Sequence, residues 1–201
     1  MNQDINKLID ESLAFCKDEG LDIVFTHELS DTLIETISER TKENPSMYFA
    51  STEMLKSRLL NGCYIVKKAN EVYAHIFVHN HKVHKFSVYE RSSLWVHPQY
   101  RKANIGLLLM HLMSKRYVKD FLISIAQEPA VHYNNQLLGM KHIALKELSP
   151  RIVETLEKIG KLRDELKYKY YVNPYFESKI APINKILNQI NKTDEKISNS
   201  L

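Results

Sequence analysis

The chain of 201 residues is long enough for one domain with a full core and an appendage. Its 44% hydrophobic and 26% charged residues are ordinary for a soluble globular protein, and a net charge of +4 with both signs mixed throughout is too mild to argue for nucleic acid by itself. Two cysteines, Cys16 and Cys63, give no disulfide framework, the acidic, amphipathic N-terminus lacks the regions of a signal peptide, and no apolar run approaches a membrane span, so a cytoplasmic location is expected.

In chain order, Ile5, Leu8, Ile9 and Leu13 follow helical spacing and predict a helix ending near Gly20. "LDIVFTHE" reads as a short strand. "SDTLIETISERTKEN" reads as a helix capped by Ser30 and stopped by Pro45; "STEMLKSRLLNG" reads as another, capped by Ser51 or Thr52 and closed at Gly62. From Cys63 the pattern turns to strands: a hairpin over "CYIVKKANEVYAHIFVH" turning at Lys68-Ala69-Asn70, then "FSVYERSSLWVH". Residues 105–117 predict an apolar helix. "FLISIA" predicts a buried central strand, "AVHYNNQLLGM" a short helix closed by Gly139, and "KHIALKEL" one more strand. After Pro150 the composition shifts. Ile152, Leu156, Ile159 and Leu162 form one helical stripe and Ile183, Ile186, Leu187 and Ile190 a second, with a break at Asn173-Pro174 and a tail expected to fray.

The stretch "SLWVHPQYRKANIGLLLMHLM" runs a strand into a basic turn and then into a helix. The first amides of a helix have no partner inside it, and the helix dipole adds positive potential there. Arg101 and Lys102 add mobile charge, and Gly106 removes a side chain where a ligand must approach the backbone. These are the parts of a phosphate site. The order Leu94-x-Val96-x-Pro98-x-Tyr100-Arg101-x-x-Asn104-Ile105-Gly106-x-x-Leu109 resembles the acyl-CoA motif of the GNAT acetyltransferase superfamily, written Arg/Gln-x-x-Gly-x-Gly/Ala after Leu-x-Val-x-Pro. Downstream, "NNQLLGM" is similar to that family's Leu-Tyr-x-x-Leu-Gly-Phe. The resemblance covers roughly residues 20–147. It implies that the strand backbone at Trp95, Val96 and His97 holds the pantetheine arm. The turn amides of Arg101, Lys102, Ala103, Asn104, Ile105 and Gly106 would hold the pyrophosphate of acetyl-CoA or another acyl-CoA. Asn104 stands where the family has glycine, and asparagine is the residue other than glycine that best tolerates a left-handed backbone.

Transfer to an amine needs a neutral nucleophile, and deprotonating a lysine-like amine of pKa about 10.4 at neutral pH costs roughly 4–5 kcal/mol. A general base relieves that cost, and a general acid reprotonates the departing thiolate. Glu90 lies six residues before Val96 and shares its face on an unbroken strand; the resemblance implies a catalytic glutamate at the matching place. A surface carboxylate paired with Arg91 or Lys85 is the other reading. The family's acid, a tyrosine four residues before the helix-ending glycine, is replaced by Asn135, which can donate a hydrogen bond but not a proton and is counted with the cofactor residues. Tyr133, two residues earlier, takes the role if the helix starts late or is irregular.

His75, His79 and His81 share strand parity, but no cysteine pair or acidic partner sits at ligand spacing, so no metal is expected. "KYKYYVNPYF" combines aromatics and lysines, which suits nucleic-acid stacking or, more ordinarily, packing of a C-terminal hairpin. The expected architecture is an α/β, GNAT-like domain over residues 1–148, with an N-terminal helix over 1–20 and a mixed, mostly antiparallel sheet. A helical extension over 149–201 packs on it or forms a homodimer. The expected activity is acyl-CoA-dependent N-acyl transfer, with acetyl as the default acyl group, to a small-molecule or protein amine, without nucleic acid or membrane. The alternatives are a scaffold protein that kept the fold without turnover, and a nucleic-acid-associated acyltransferase.

Overall fold

The computed structural model describes residues 4–44, 47–158, 160 and 167–198. The helix stop expected at Pro45, and Ile159 and Leu162 of the first C-terminal stripe, lie outside the described residues. The elements run α1 (Ile5–Asp18), β1 (Asp22–Thr26), α2 (Asp31–Glu43), α3 (Thr52–Leu59), β2 (Cys63–Lys68), β3 (Glu71–Val83), β4 (Phe86–Val96), a 3-10 turn (Pro98–Ala103), α4 (Ile105–Arg116), β5 (Phe121–Ala126), α5 (Pro129–Leu137), β6 (Lys141–Ile143), a 3-10 turn (Leu145–Glu147), α6 (Pro150–Lys158), β7 (Lys169–Val172) and α7 (Pro174–Ser198). Ser30 and Ser51 cap α2 and α3 through their side chains, as their type and place predict. Among the described residues, no helix is long and apolar enough to cross a membrane.

The strands form one seven-stranded sheet in the order β1-β2-β3-β4-β5-β7-β6. The β4–β5 pair is parallel and every other pair is antiparallel. Alternation along β3 and β4 sends Ala74, Ile76 and Val78 to one face, under α1 and α4. Phe77 goes to the other face, under α2 and α3, and Val83 follows it to meet α6 and α7. Helix α4 carries Ile105, Leu107, Leu108, Leu109, Met110 and Met113 buried, too many apolar residues for a surface helix, and it is seated in the first of these cores.

Two places depart from the sequence expectation. The segment "KHIALKEL" is a strand for only three residues before it turns. More consequentially, the C-terminal region is helical in α6 and α7 but also supplies β7, which inserts between β5 and β6. Ile123 pairs with Val172 and Ile143 with Tyr170. Of the described C-terminal elements, α6 and α7 are helical but β7 completes the sheet, and Ile152, Leu156, Phe176, Ile183 and Leu187 share a core with Val83, Val88 and Ile123. Asn173 secures the exit from β7. Its amide donates to Tyr117 O at 3.2 Å and Asp120 O at 3.0 Å, while its Oδ1 accepts from the Phe176 N–H at the start of α7.

Candidate functional site

The parallel pairing of β4 with β5 covers only Val88–Arg91 against Phe121–Ser124. Beyond it β5 continues alongside β7, while β4 is deflected by a bulge. Between His75 and Phe77 β3 advances two residues, while β4 advances three, from Ser92 to Trp95. Ser93 takes up the extra residue with φ of 50°. The two strands part, and the edge of β4 facing β5 is left without a strand partner from Ser92 to Val96.

A cleft of about 890 Å³ opens at this parting. Trp95, Val96, Arg101, Asn104, Gly106 and Tyr133 line it, so strand, turn and α5 are brought together at one cleft. Asn104 has φ of 56° and ψ of 18°, the left-handed conformation that glycine would adopt there. The turn is thus made without glycine. The Leu108 N–H donates to Asn104 O at 3.0 Å, which leaves the earlier amides of α4 at the cleft end of the helix. A Cβ on Gly106 would meet Val96 at 3.6 Å, ordinary contact, so the protein itself does not require glycine there; the room in front of it belongs to the cleft. Arg101 is exposed, and its Nε donates to Val96 O at 3.2 Å, occupying a carbonyl of the open edge.

Five of the expected cofactor residues, His97, Lys102, Ala103, Ile105 and Asn135, do not line this cleft. The His97 amide donates to Tyr73 O at 2.7 Å and its ring accepts from the Gln99 N–H. Lys102 points to solvent, Ala103 packs against the α1–α4 core, and the Ile105 side chain is wholly buried. Asn135 is 0% exposed. Its Oδ1 accepts from the Arg91 guanidinium and its Nδ2 donates to Ser124 Oγ at 3.2 Å, so it braces the sheet rather than a ligand. The cleft residue of that helix turn is its neighbour Asn134. Tyr133, half a turn from Asn135, is 49% exposed and on the cleft wall. Arg40 was not foreseen either: its guanidinium sits 4.0 Å over the Trp95 ring, and Trp95 in turn stacks on His75.

A second cavity, about 380 Å³, adjoins the first where Leu94 and Val131 line both. Glu90 lines it, with Arg58, Arg91, Tyr48, Phe49 and Tyr168. Strict alternation would put Glu90 on the face of Val96, but the bulge at Ser93 reverses the parity: Glu90 lies opposite His79, on the face of Trp95 and His75. Glu90 is 2% exposed and shares a 2.7 Å hydrogen bond with His81 Nε2, which is buried too; it is not a surface carboxylate paired with Lys85. The cross-strand register also supplies the acidic neighbour that linear spacing lacked, since ligand atoms of His79, His81 and Glu90 lie within 4.8 Å of one another. In the bulge, His75 Nδ1 donates to Ser93 O at 2.7 Å, and burial pushes the His75 imidazole down to about 3. Burial likewise pulls the Arg91 guanidinium down to about 9, which leaves it charged at neutral pH.

No protein-family model and no curated protein sequence matches the chain. Solved structures do match. N-acetylglutamate synthase from Neisseria gonorrhoeae, complexed with coenzyme A and N-acetyl-glutamate, superposes with a TM-score of 0.57 at 16% identity, over 76% of this chain and 34% of that one. The chain thus spans about a third of that enzyme. An acetyltransferase from Streptococcus agalactiae gives 0.55 at 14% identity, over 77% of this chain and 98% of that one. Arabidopsis thaliana Naa50, in complex with the bisubstrate analogue CoA-Ac-MVNAL, gives 0.51 at 12%, over 75% and 96%. At these identities the likeness is one of fold, and the fold is that of the GNAT acetyltransferases.

Proposed function

We propose that the chain is an acyl-CoA-dependent N-acyltransferase, with acetyl as the acyl group and an amine as acceptor. The observation that carries this reading is the parting of β4 from β5. It leaves an open strand edge at Trp95 and Val96 and a helix N-terminus at Gly106 on one cleft, and that cleft runs into a second cavity holding a buried carboxylate. The first cavity suits the cofactor. The edge of β4 pairs with the amides of the pantetheine arm as another strand would, and the amides opening α4 take the pyrophosphate. Arg101 leaves Val96 O for the phosphates, which frees that carbonyl for the arm. That neighbours of the same fold hold coenzyme A or a conjugate of it supports acyl-CoA as co-substrate.

The acceptor enters the smaller cavity. Its nitrogen attacks the thioester carbonyl carbon; the tetrahedral adduct collapses with cleavage of the C–S bond. Glu90, directly or through a water, takes the proton the amine loses, and His81 holds that carboxylate in place. Tyr133, on the wall of the cofactor cleft, is positioned to return a proton to the thiolate. Asn135 has no part in this chemistry, being committed to Arg91 and Ser124.

Calorimetric titration with acetyl-CoA tests the reading. Micromolar binding is expected, weakened tenfold or more by Arg101→Glu; Glu90→Gln keeps the binding and loses about 10²-fold or more in turnover. No detectable heat from the folded wild type would favour a scaffold that kept the fold without the cofactor.

A further inference from the structure

The smaller cavity has an imbalance of charge. Its wall carries two guanidiniums, Arg58 and Arg91, against one carboxylate, Glu90. Arg91 is occupied within the protein: it donates to Met110 O at 3.3 Å, to Ser114 Oγ at 2.8 Å and to Asn135 Oδ1. Arg58 is not. It leaves the last turn of α3, where a solvated arginine would be ordinary, and runs inward until it is 1% exposed. Its NH1 donates to Ser93 Oγ at 2.6 Å, but its Nε and NH2 have no acceptor among the described residues and almost no contact with solvent. A guanidinium has five N–H donors in a planar fork, and a fork held out of water with two of its nitrogens unmatched is a site for a planar anion with two oxygens. Burial lowers the Arg58 pKa while Glu90 and Tyr48 raise it again, so Glu90 is near enough to feel the same charge.

We propose that Arg58 binds a carboxylate of the acceptor, so that the acceptor is a small amino acid-like molecule whose amine reaches Glu90 while its carboxylate lies on the guanidinium. The proposal rests on the acyltransferase reading and sharpens it. Arg58 and Glu90 line one cavity, so the two groups they serve belong to one short molecule. A volume of about 380 Å³ accommodates such a molecule, with Tyr48, Phe49 and Tyr168 left to meet its side chain. An amine without an anion would leave the Arg58 fork unmatched and a cationic group facing excess positive charge.

The test compares the common L-amino acids with their carboxamides, which keep the size and shape but lack the anion, and with peptides carrying a free N-terminus and an amidated C-terminus. Binding to the full chain in the presence of coenzyme A is measured by calorimetry, and coenzyme A release from acetyl-CoA by thiol titration. At least one amino acid is expected to bind tenfold or more tighter than its carboxamide. Arg58→Gln should bring the pair level and Arg58→Lys should restore part of the difference, while acetyl-CoA binding is unchanged in both. If Arg58→Gln does not fold, the acid-to-amide ratio of the wild type decides alone. Equal binding of acids and amides, preference for the peptides, or no amino-acid binding by a protein that binds acetyl-CoA overturns the carboxylate site and leaves the transferase reading standing. Acid-selective binding lost in Arg58→Gln, with no acetyl-CoA binding, supports the site and removes the transferase.

Discussion

His75 is the residue whose surroundings have the clearest thermodynamic consequence. Its ring is wholly buried between Trp95 and Phe77, and Nδ1 must carry the proton in the neutral form because the Ser93 carbonyl can only accept. With the folded pKa lowered to about 3 and the unfolded one near 6.5, the unfolded chain binds one more proton between those values. Stability contributed by this residue is therefore full above about pH 6.5 and falls as the pH drops through the window, by about 1.4 kcal/mol per pH unit. Chemical denaturation between pH 4 and 6 should give a flatter stability profile for His75→Gln than for the wild type, by about that slope; identical slopes would show that the imidazole titrates normally. At this scale the residues of the turn were legible. Asn104 adopts the left-handed conformation its type allows, because that preference is local to one residue. The facing of Glu90 was not legible, because it depends on whether an extra residue is accommodated at Ser93, and the pairing with β3 decides that.

Among the elements, β7 does most to define the site. Its pairing with β5 covers the edge of that strand opposite β4 and so holds β5, whose Ser124, Ile125 and Ala126 line the smaller cavity. Lys169, Tyr170, Tyr171 and Val172 are four residues between two helical stripes, and a strand this short has no signal of its own. What makes it a strand is the unpaired edge of β5, more than forty residues earlier in the chain. A chain ended at residue 148, where the composition changes, should expose that edge together with the apolar face that Phe176, Ile183 and Leu187 cover. It should then aggregate or melt without cooperativity. A soluble fragment with a sharp thermal transition would show that the sheet is complete without β7.

At the scale of the molecule, Tyr170, Tyr171 and Phe176 of "KYKYYVNPYF" are consumed by the fold, while Tyr175 stays 36% exposed and Tyr168 lines the smaller cavity. Tyr170 and Tyr171 are 1% and 2% exposed, so they offer no stacking surface to bases. Binding to single-stranded RNA, followed by fluorescence anisotropy from low to physiological salt, should accordingly be weak; tight binding with a steep salt slope would restore the nucleic-acid alternative. The second C-terminal stripe is spent in the same way, since Ile183 and Leu187 lie within the chain's own core, though Ile186 remains 45% exposed.

By itself the sequence determined the order of helices and strands up to Gly139, the caps, and the identity of the strand, turn and helix that face the cleft. Each of these follows from periodicities and backbone preferences within a few residues. Only the tertiary structure decided that β4 bulges, that β7 enters the sheet, and that Asn135 turns inward while Arg58 and Glu90 meet in one cavity. Those outcomes depend on which strand edge is left to pair and which charge is left to bury, and both are set by segments far apart in the chain.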